Sequence, residues 1–586
     1  MHKSAPLLFT CLLGLSLTGC ASITGSASTP AVDETTNAIK QEGIGQPGST
    51  TPIEYADFEP ETLYLLLSAE IAAQRGRYDV TLVNYLKAAQ QSRDKNVIER
   101  AMLIAQSLNS DNAQKRLAKL WLDVDPGNLQ ALRVSAIQAV KRNEMEAALG
   151  YMEQILNQGG DADFDSLAVM AGNLPPEQQQ ELLALYEKMA RRHPDTPDLE
   201  YSIALLLKIT GDPEAALLRL EPLLAQQPKF QPAIILKGDL LFQVGKENEA
   251  LDHLLINTRR FPENRQMGTL YGRMLISEGD LQAAQDEFNR LVQRYPDNPG
   301  LRLSHALVAL ENGQLELAKE ELIKLTEQGY QISEASYYLG RIADEAGNTE
   351  QAIGYYQSVE KGNYFLPSLA RASTLLASEG KLDDALANIR SLRSDHSEQA
   401  ENFWLLEVNL LLDQGQQQEA LDAASSALED YPENPQIRYA RAMLFDALDQ
   451  PGKAEQDLKQ IVEQNPENAV ALNALGYILA TRTDRLNEAR GYVEQALRLD
   501  PDNPAILDSM GWILFQEGQI EPALDFLSRA WEAYPDPEVA AHYGEALWMS
   551  GAEEQAEIIW KEGLDKNPDH EVLRETIERL TNKGNL

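Results

Sequence analysis

The chain has 586 residues, and 90 acidic side chains against 51 basic ones leave a formal charge of −39 at pH 7. That surplus excludes a nucleic-acid binder, because phosphate backbones are held by an excess of Lys and Arg. With 43% hydrophobic and 24% charged residues the composition is globular and ample for a large core, while two cysteines, Cys11 and Cys20, exclude a disulfide framework and a cysteine-rich zinc site.

From the N-terminus, Lys3 supplies a positive region and Leu7 to Leu17 an apolar one, too short to span ~30 Å of hydrocarbon as a helix. Residues 1–19 therefore read as a signal peptide. The apolar run ends in Leu17-Thr18-Gly19-Cys20, which resembles the lipobox of bacterial lipoproteins. The resemblance implies cleavage before Cys20, loss of Cys11, and a diacylglycerol on the Cys20 thiol. Ala21 and Ser22 follow the cysteine where Asp would imply retention in the inner membrane, so the implied address is the outer membrane, facing the periplasm. Residues 20–54 are dominated by Ser, Thr, Gly and Pro and carry too few apolar side chains to offset the entropy of ordering them. They read as a flexible tether with a reach of roughly 30 Å. No later segment approaches 18 continuous apolar residues, so lipid is the only membrane attachment expected.

Beyond the tether one unit repeats. Pro126, Pro194, Pro228, Pro262, Pro296, Pro432 and Pro466 are separated by multiples of 34 residues. Ala216, Ala250, Ala284, Ala318 and Ala352 keep the same spacing, Ala420 and Ala454 rejoin it after a one-residue slip at Ala385, and Ala489, Ala523 and Ala556 follow within one residue. Twelve residues before these alanines lie small residues such as Gly238, Gly272, Gly340, Gly511 and Gly544, with Gly476 one residue off register. Five before them lie Gly245, Gly279, Gly313, Gly347, Gly380, Gly415, Gly518 and Gly551. Such a pattern predicts a helical hairpin: the small residue admits helix B against helix A, the glycine ends helix A in a left-handed cap, and the alanine sits at the crossing. Proline then ends helix B, and Asn298-Pro299, Asn434-Pro435 and Asn503-Pro504 place an N-cap and a first-turn proline at the next helix A.

Gly, Ala and Pro in this order at this period resemble the tetratricopeptide repeat (TPR) family. The resemblance implies an all-α TPR solenoid, a right-handed superhelix of roughly 15 helix pairs whose A helices line a groove for protein or peptide. Residues 55–195 are expected to hold degenerate repeats, interrupted at Gly159-Gly160 and Leu174-Pro-Pro176; 196–568 the regular array; and 569–586 a capping helix and tail.

No catalytic constellation is legible. The histidines His2, His193, His253, His305, His396, His542 and His570 form no metal-binding pair, so neither a metal nor another cofactor is expected. His542 reads as a packed or groove histidine, and Asp161-Ala-Asp163-Phe-Asp165 as acids at a helix start, since it lacks the glycine and terminal Glu of a calcium loop. The residues beside the small helix A position are the candidate groove contacts: Arg273 and Arg341, with Tyr337 one turn before Arg341, and Tyr477, Asp508 and Trp512 nearer the C-terminus. Charge is uneven along the chain, with 15 basic and 20 acidic residues over 61–200 but 10 and 23 over 466–586.

The runs Asn473-Ala-Leu-Gly-Tyr477, Ala505-Ile-Leu-Asp-Ser-Met-Gly-Trp512 and Pro535-Asp-Pro-Glu-Val-Ala-Ala-His542-Tyr-Gly-Glu-Ala-Leu-Trp548 are more particular than the repeat consensus. They resemble the C-terminal part of large Gram-negative TPR lipoproteins. That group includes the adaptor of a periplasmic carboxyl-terminal processing protease, which presents cell-wall hydrolases for degradation. The resemblance implies a non-enzymatic scaffold whose partners are that protease and its cell-wall hydrolase substrates. Two alternatives stand beside it: a scaffold for exopolysaccharide export or envelope assembly, and a periplasmic hydrolase, which would need a buried carboxylate pair in a pocket.

Overall fold

In a computed structural model of the chain, residues 59–142 and 144–581 are described. The signal peptide, Cys20 and the tether to residue 54 lie outside them. The described residues form thirty-one α-helices, numbered here α1 to α31 in chain order. They fall in two compact units, residues 1–296 and 297–586. Within each unit consecutive helices pack in pairs and each pair packs on the next, except at α7 (Phe164–Met170), which packs chiefly on α9 (Pro197–Ile209). Fifteen pairs run from α1 (Pro60–Gln74) and α2 (Tyr78–Ser92) to α29 (Pro537–Ser550) and α30 (Glu553–Lys566). A single amphipathic helix, α31 (Glu571–Thr581), packs on α29 and α30.

Each residue class of the lattice occupies the place its chemistry suits. The eight glycines expected to end helix A all have left-handed backbones, from φ 71° at Gly313 to 92° at Gly551, the C-cap of α29. Every alanine of the lattice from Ala216 to Ala556 is 0% exposed. At the crossings the small residues have no room for a side chain. A Cβ on Gly272 would meet the ring of Phe288, and one on Gly544 the indole of Trp560. The asparagines cap as their sequence suggests: Oδ1 of Asn298, Asn434 and Asn503 accepts from the backbone N–H of Leu301, Ile437 and Ala505 at 2.9, 2.9 and 3.1 Å. Such caps are worth about 1 kcal/mol each.

Three departures from the lattice have local causes. Gly476 is out of register because α25 (Ala469–Arg482) runs one residue further beyond its small position than a regular helix A and the turn after it lacks a left-handed glycine; Val493, seventeen residues on, lies against Gly476, where the usual separation is sixteen. The slip at Ala385 follows α18 (Thr349–Gln357), a B helix of nine residues where α20 (Leu382–Asp395) has fourteen. In the degenerate part, α7 (Phe164–Met170) is seven residues long and gives way to a 3₁₀ turn at Ala171–Asn173 before α8 (Pro176–Ala190). Asp163 precedes α7, as read, but its carboxylate accepts from the Ser166 hydroxyl at 2.8 Å and makes no bond to a backbone N–H of the helix.

One recurrent feature escaped the sequence. Arg302 and Glu321 pair at 2.5 Å, and Arg438 and Asp457 at 3.2 Å, with every side chain at most 10% exposed. Both pairs join the residue four before the small position of helix A to the residue three after the alanine of helix B. Arg441 adds a second guanidinium to Asp457 at 2.7 Å.

Candidate functional site

In the second unit the A helices α25, α27 (Pro504–Gln516) and α29 lie side by side. Three of the residues singled out from sequence meet there. Tyr477 on α25 is half-buried, and its hydroxyl donates to Glu538 Oε1 on α29 at 2.5 Å, two repeats away. Asp508 on α27 is buried and accepts from His542 Nδ1 on α29, at 2.9 Å to Oδ2. Trp512, one turn after Asp508, stacks on the His542 ring with centroids 4.1 Å apart and planes 20° from parallel. Tyr477 approaches the same ring from the other helix at 6.2 Å. The Gln516 amide accepts from Trp512 Nε1 at 2.6 Å and donates to the Ala480 carbonyl at 3.2 Å in the orientation that satisfies both ends. The result is an aromatic shelf whose carboxylates are already bonded within it.

Repetition builds this arrangement. Asp508 and His542 are 34 residues apart, one repeat, so the same helical face on consecutive A helices brings them together. Glu538 and His542 are one turn apart on α29. His542 was legible as a groove or packed histidine; its bond to Asp508 was signalled by the spacing but not read, and Glu538 was missed.

Burial disfavours the His542 imidazolium, but the Asp508 carboxylate, with Glu538 and Glu545 behind it, outweighs that and raises its pKa above the ordinary 6.5. Burial, then the Glu538 carboxylate, pushes the Tyr477 phenol far up. Since the folded pKa of His542 is raised, its contribution to stability is complete below pH 6.5 and is lost as pH rises through the folded value. Melting temperatures of wild type and a His542→Gln variant should therefore converge as pH rises above 6.5. A gap that widened over that range would contradict the pairing.

A His–Asp pair can serve as a general base where its free imidazole nitrogen reaches the group that it deprotonates. It becomes a catalytic dyad when a nucleophile bonds the free imidazole nitrogen. The neighbouring hydroxyl, Ser509, instead donates to the Ala505 carbonyl at 2.9 Å. Among the described residues no group of His, Cys, Asp and Glu could hold a metal. The part of the shelf that reaches solvent is the half-exposed rings of Tyr477 and Trp512, with His542 beneath Trp512 only 4% exposed.

The other candidates do not join this cluster. Tyr337 on α17 (Ile332–Glu345) stacks on Tyr364 at 4.5 Å and 22°, and touches Tyr338 and Tyr356. Arg341 pairs with Glu345 of its own helix at 3.4 Å. Tyr356 also lines a cleft of about 350 Å³ with Val359, Phe365, Leu369, Leu392 and His396, left where α18 stops a turn early. Arg273 on α13 (Arg265–Ser277) is exposed and belongs to the first unit.

Models described as tetratricopeptide repeat match residues 235–299, 303–364, 369–437 and 439–504, and a further one matches 480–542. The helix pairs before residue 235 fall outside those matches: those of the stretch expected to be degenerate, to residue 195, and also the pair at Pro197–Ile209 and Pro213–Gln226, expected to be regular. The chain is 38% identical over 583 residues to the TPR repeat-containing protein PA4667 of Pseudomonas aeruginosa, spanning 99% of this chain and 97% of that one. Among solved structures it is similar to a tetratricopeptide repeat protein from Parabacteroides merdae, with 19% identity, a TM-score of 0.35 and coverage of 43% of this chain and 100% of that one. It is also similar to the APC/C heterotetramer Cut9-Hcn1, with 13% identity, a TM-score of 0.32 and coverage of 89% and 97%. With the full-length relative and the repeat models in agreement, the chain belongs to the tetratricopeptide-repeat family.

Proposed function

We propose that the protein is a non-enzymatic lipoprotein of the outer membrane, anchored through Cys20 and facing the periplasm. It gathers a carboxyl-terminal processing protease and cell-wall hydrolases so that the protease degrades them. The observation that carries the reading is the pair of half-exposed rings, Tyr477 and Trp512, set around the buried His542 on consecutive A helices of a repeat array; we read it as a recognition surface. The lipobox-like Leu17 to Cys20 and the polar stretch to residue 54 support the anchor and tether. Tethering raises the local concentration of both partners, turning a weak encounter into an effectively intramolecular one.

Two experiments test it. Cys20→Ser removes the one thiol of the mature chain and should leave uncleaved precursor or a mislocalised product in fractionated cells. A variant that still matured with attached lipid would contradict the anchor. The body from Tyr55 onward should form separate complexes with the protease and with a cell-wall endopeptidase of the same organism on size-exclusion chromatography. Failure to bind either would refute the adaptor reading.

A further inference from the structure

In the second unit, carboxylate–guanidinium pairs tie one A helix to the next helix of its row. Asp344 on α17 pairs with Arg371 on α19 (Phe365–Ser378), Asp446 on α23 (Pro435–Ala447) with Arg482 on α25, and Glu545 on α29 with Arg579 on the terminal α31. Glu538, two turns before Glu545 on α29, departs from that pattern. Its half-buried carboxylate is bonded across two repeats, but the donor is the neutral Tyr477 hydroxyl. Among the described residues no Lys, Arg or His pairs with it, and Tyr477 engages Oε1 alone. A place in the first turn of α29 favours the ionised carboxylate, yet a helix end supplies only about half an elementary charge. The field of Glu538 is felt across the shelf. Burial, then Glu538, Asp508 and Asp446, push the Tyr477 phenol up, and at His542 burial is outweighed by Asp508, Glu538 and Glu545. Asp446, Asp508 and Glu545 each have a basic side chain of their own, in Arg482, His542 and Arg579. Of these four carboxylates Glu538 is the one without a cation, and it lies beside the half-exposed rings of Tyr477 and Trp512.

We infer that the shelf takes an arginine side chain of the bound protein, with the guanidinium on Glu538 Oε2 and the apolar stem along the rings of Tyr477 and Trp512. The inference rests on the reading of the shelf as a recognition surface and adds what is recognised there. Any segment that covers the two rings also takes water from the carboxylate bonded to one of them. A neutral or acidic segment would leave that charge without compensation, which opposes binding; a basic one offsets it. Arginine suits the place better than lysine. Its flat guanidinium donates to a carboxylate while lying against aromatic rings, whereas an ammonium holds its water more firmly. Within the array the same solution recurs, since Arg371, Arg482 and Arg579 each hold a carboxylate of a neighbouring helix. Residues 1–58 and 582–586 contain no arginine, so neither end of the chain supplies the missing guanidinium, and a partner must.

The probes are two short, blocked peptides of glycine and alanine around one central residue, arginine in the first and citrulline, its uncharged equivalent in shape, in the second. Each is titrated into the full-length protein, isotope-labelled at its tryptophan indoles, and the Nε1–H resonance that Trp512→Phe removes is followed. The arginine peptide should move that resonance saturably and bind at least about fivefold more tightly than the citrulline peptide. Added salt should weaken the arginine peptide alone. Glu538→Gln keeps an acceptor for the Tyr477 hydroxyl, so circular dichroism should be unchanged, while the two peptides should come within about twofold of one another. Three results would each overturn the inference: no movement of the resonance with the arginine peptide, equal binding of the two peptides, or a preference for arginine that survives Glu538→Gln. Equal binding would still leave the shelf a recognition surface, for an uncharged segment. The recognition reading itself falls only if Trp512→Ala leaves the acceleration of proteolysis by the body unchanged.

Discussion

Replacing Gly544 with alanine should destabilise the last helical pair by about 2 kcal/mol, although alanine is the better helix former by roughly 1 kcal/mol. Gly544 lies inside α29, and a Cβ there would collide with the Trp560 indole across the crossing. Trp560 is 0% exposed and packs on Trp548 with centroids 5.5 Å apart, so it has nowhere to retreat. Overpacking of this kind exceeds the propensity gain, and a larger side chain, as in Gly544→Leu, should abolish the pair. Gly491 is the internal control. It lies within α26 (Leu486–Leu499), and a Cβ there meets nothing within 4 Å. Gly491→Ala should therefore stabilise the protein by up to about 1 kcal/mol. Hydrogen exchange of α29 and α30 reads the first effect and a melting curve the second. Equal signs for the two substitutions would mean that the crossing does not set the requirement for glycine.

Asp457→Ala should be more damaging, by about 3–5 kcal/mol, because it leaves Arg438 and Arg441 facing one another without their carboxylate. Arg438 is 7% exposed at its side chain, and water does not reach it freely. The loss should appear as accelerated hydrogen exchange in α23 (Pro435–Ala447) and α24 (Pro451–Gln464), with more distant pairs unaffected, since repeat arrays open locally. Replacing the whole group with apolar residues, as in Arg438→Met, Arg441→Leu and Asp457→Leu together, should come close to wild type, because the penalty belongs to the uncompensated charge. If the single and triple variants lost equal stability, the ion pair would be contributing specific bonding energy of its own.

The array was legible because its signals are backbone requirements repeated many times. A left-handed turn wants glycine, a helix crossing wants alanine or glycine, and helix ends want Asn-Pro or Pro; each requirement recurs at a fixed offset, so Gly518 or Ala523 is read from its neighbours one repeat away. Side-chain pairing carries no such redundancy. Among the described residues the ion pair of Arg302 with Glu321 recurs at Arg438 with Asp457 and, with the charges exchanged, at Glu200 with Arg219, while other repeats fill the same places differently. At the candidate site the sequence supplied Tyr477, Asp508 and Trp512 from their places in the repeat, but not Glu538, which bonds Tyr477 from two repeats away, 61 residues on. A contact at that distance depends on how consecutive hairpins pack, which no single-repeat pattern records. The tyrosine cluster of Tyr337, Tyr338 and Tyr364 was missed for a related reason: Tyr364 comes from the connection after the short α18 and packs back on α17.

The adaptor reading is tested most directly by the rate at which a carboxyl-terminal processing protease degrades a cell-wall endopeptidase, with and without the purified body from Tyr55 onward. The account predicts faster degradation when the body is present. It also predicts a smaller acceleration when Trp512→Ala removes the stacking face over His542, and no hydrolysis by the body alone. Equal rates with and without the body would contradict it.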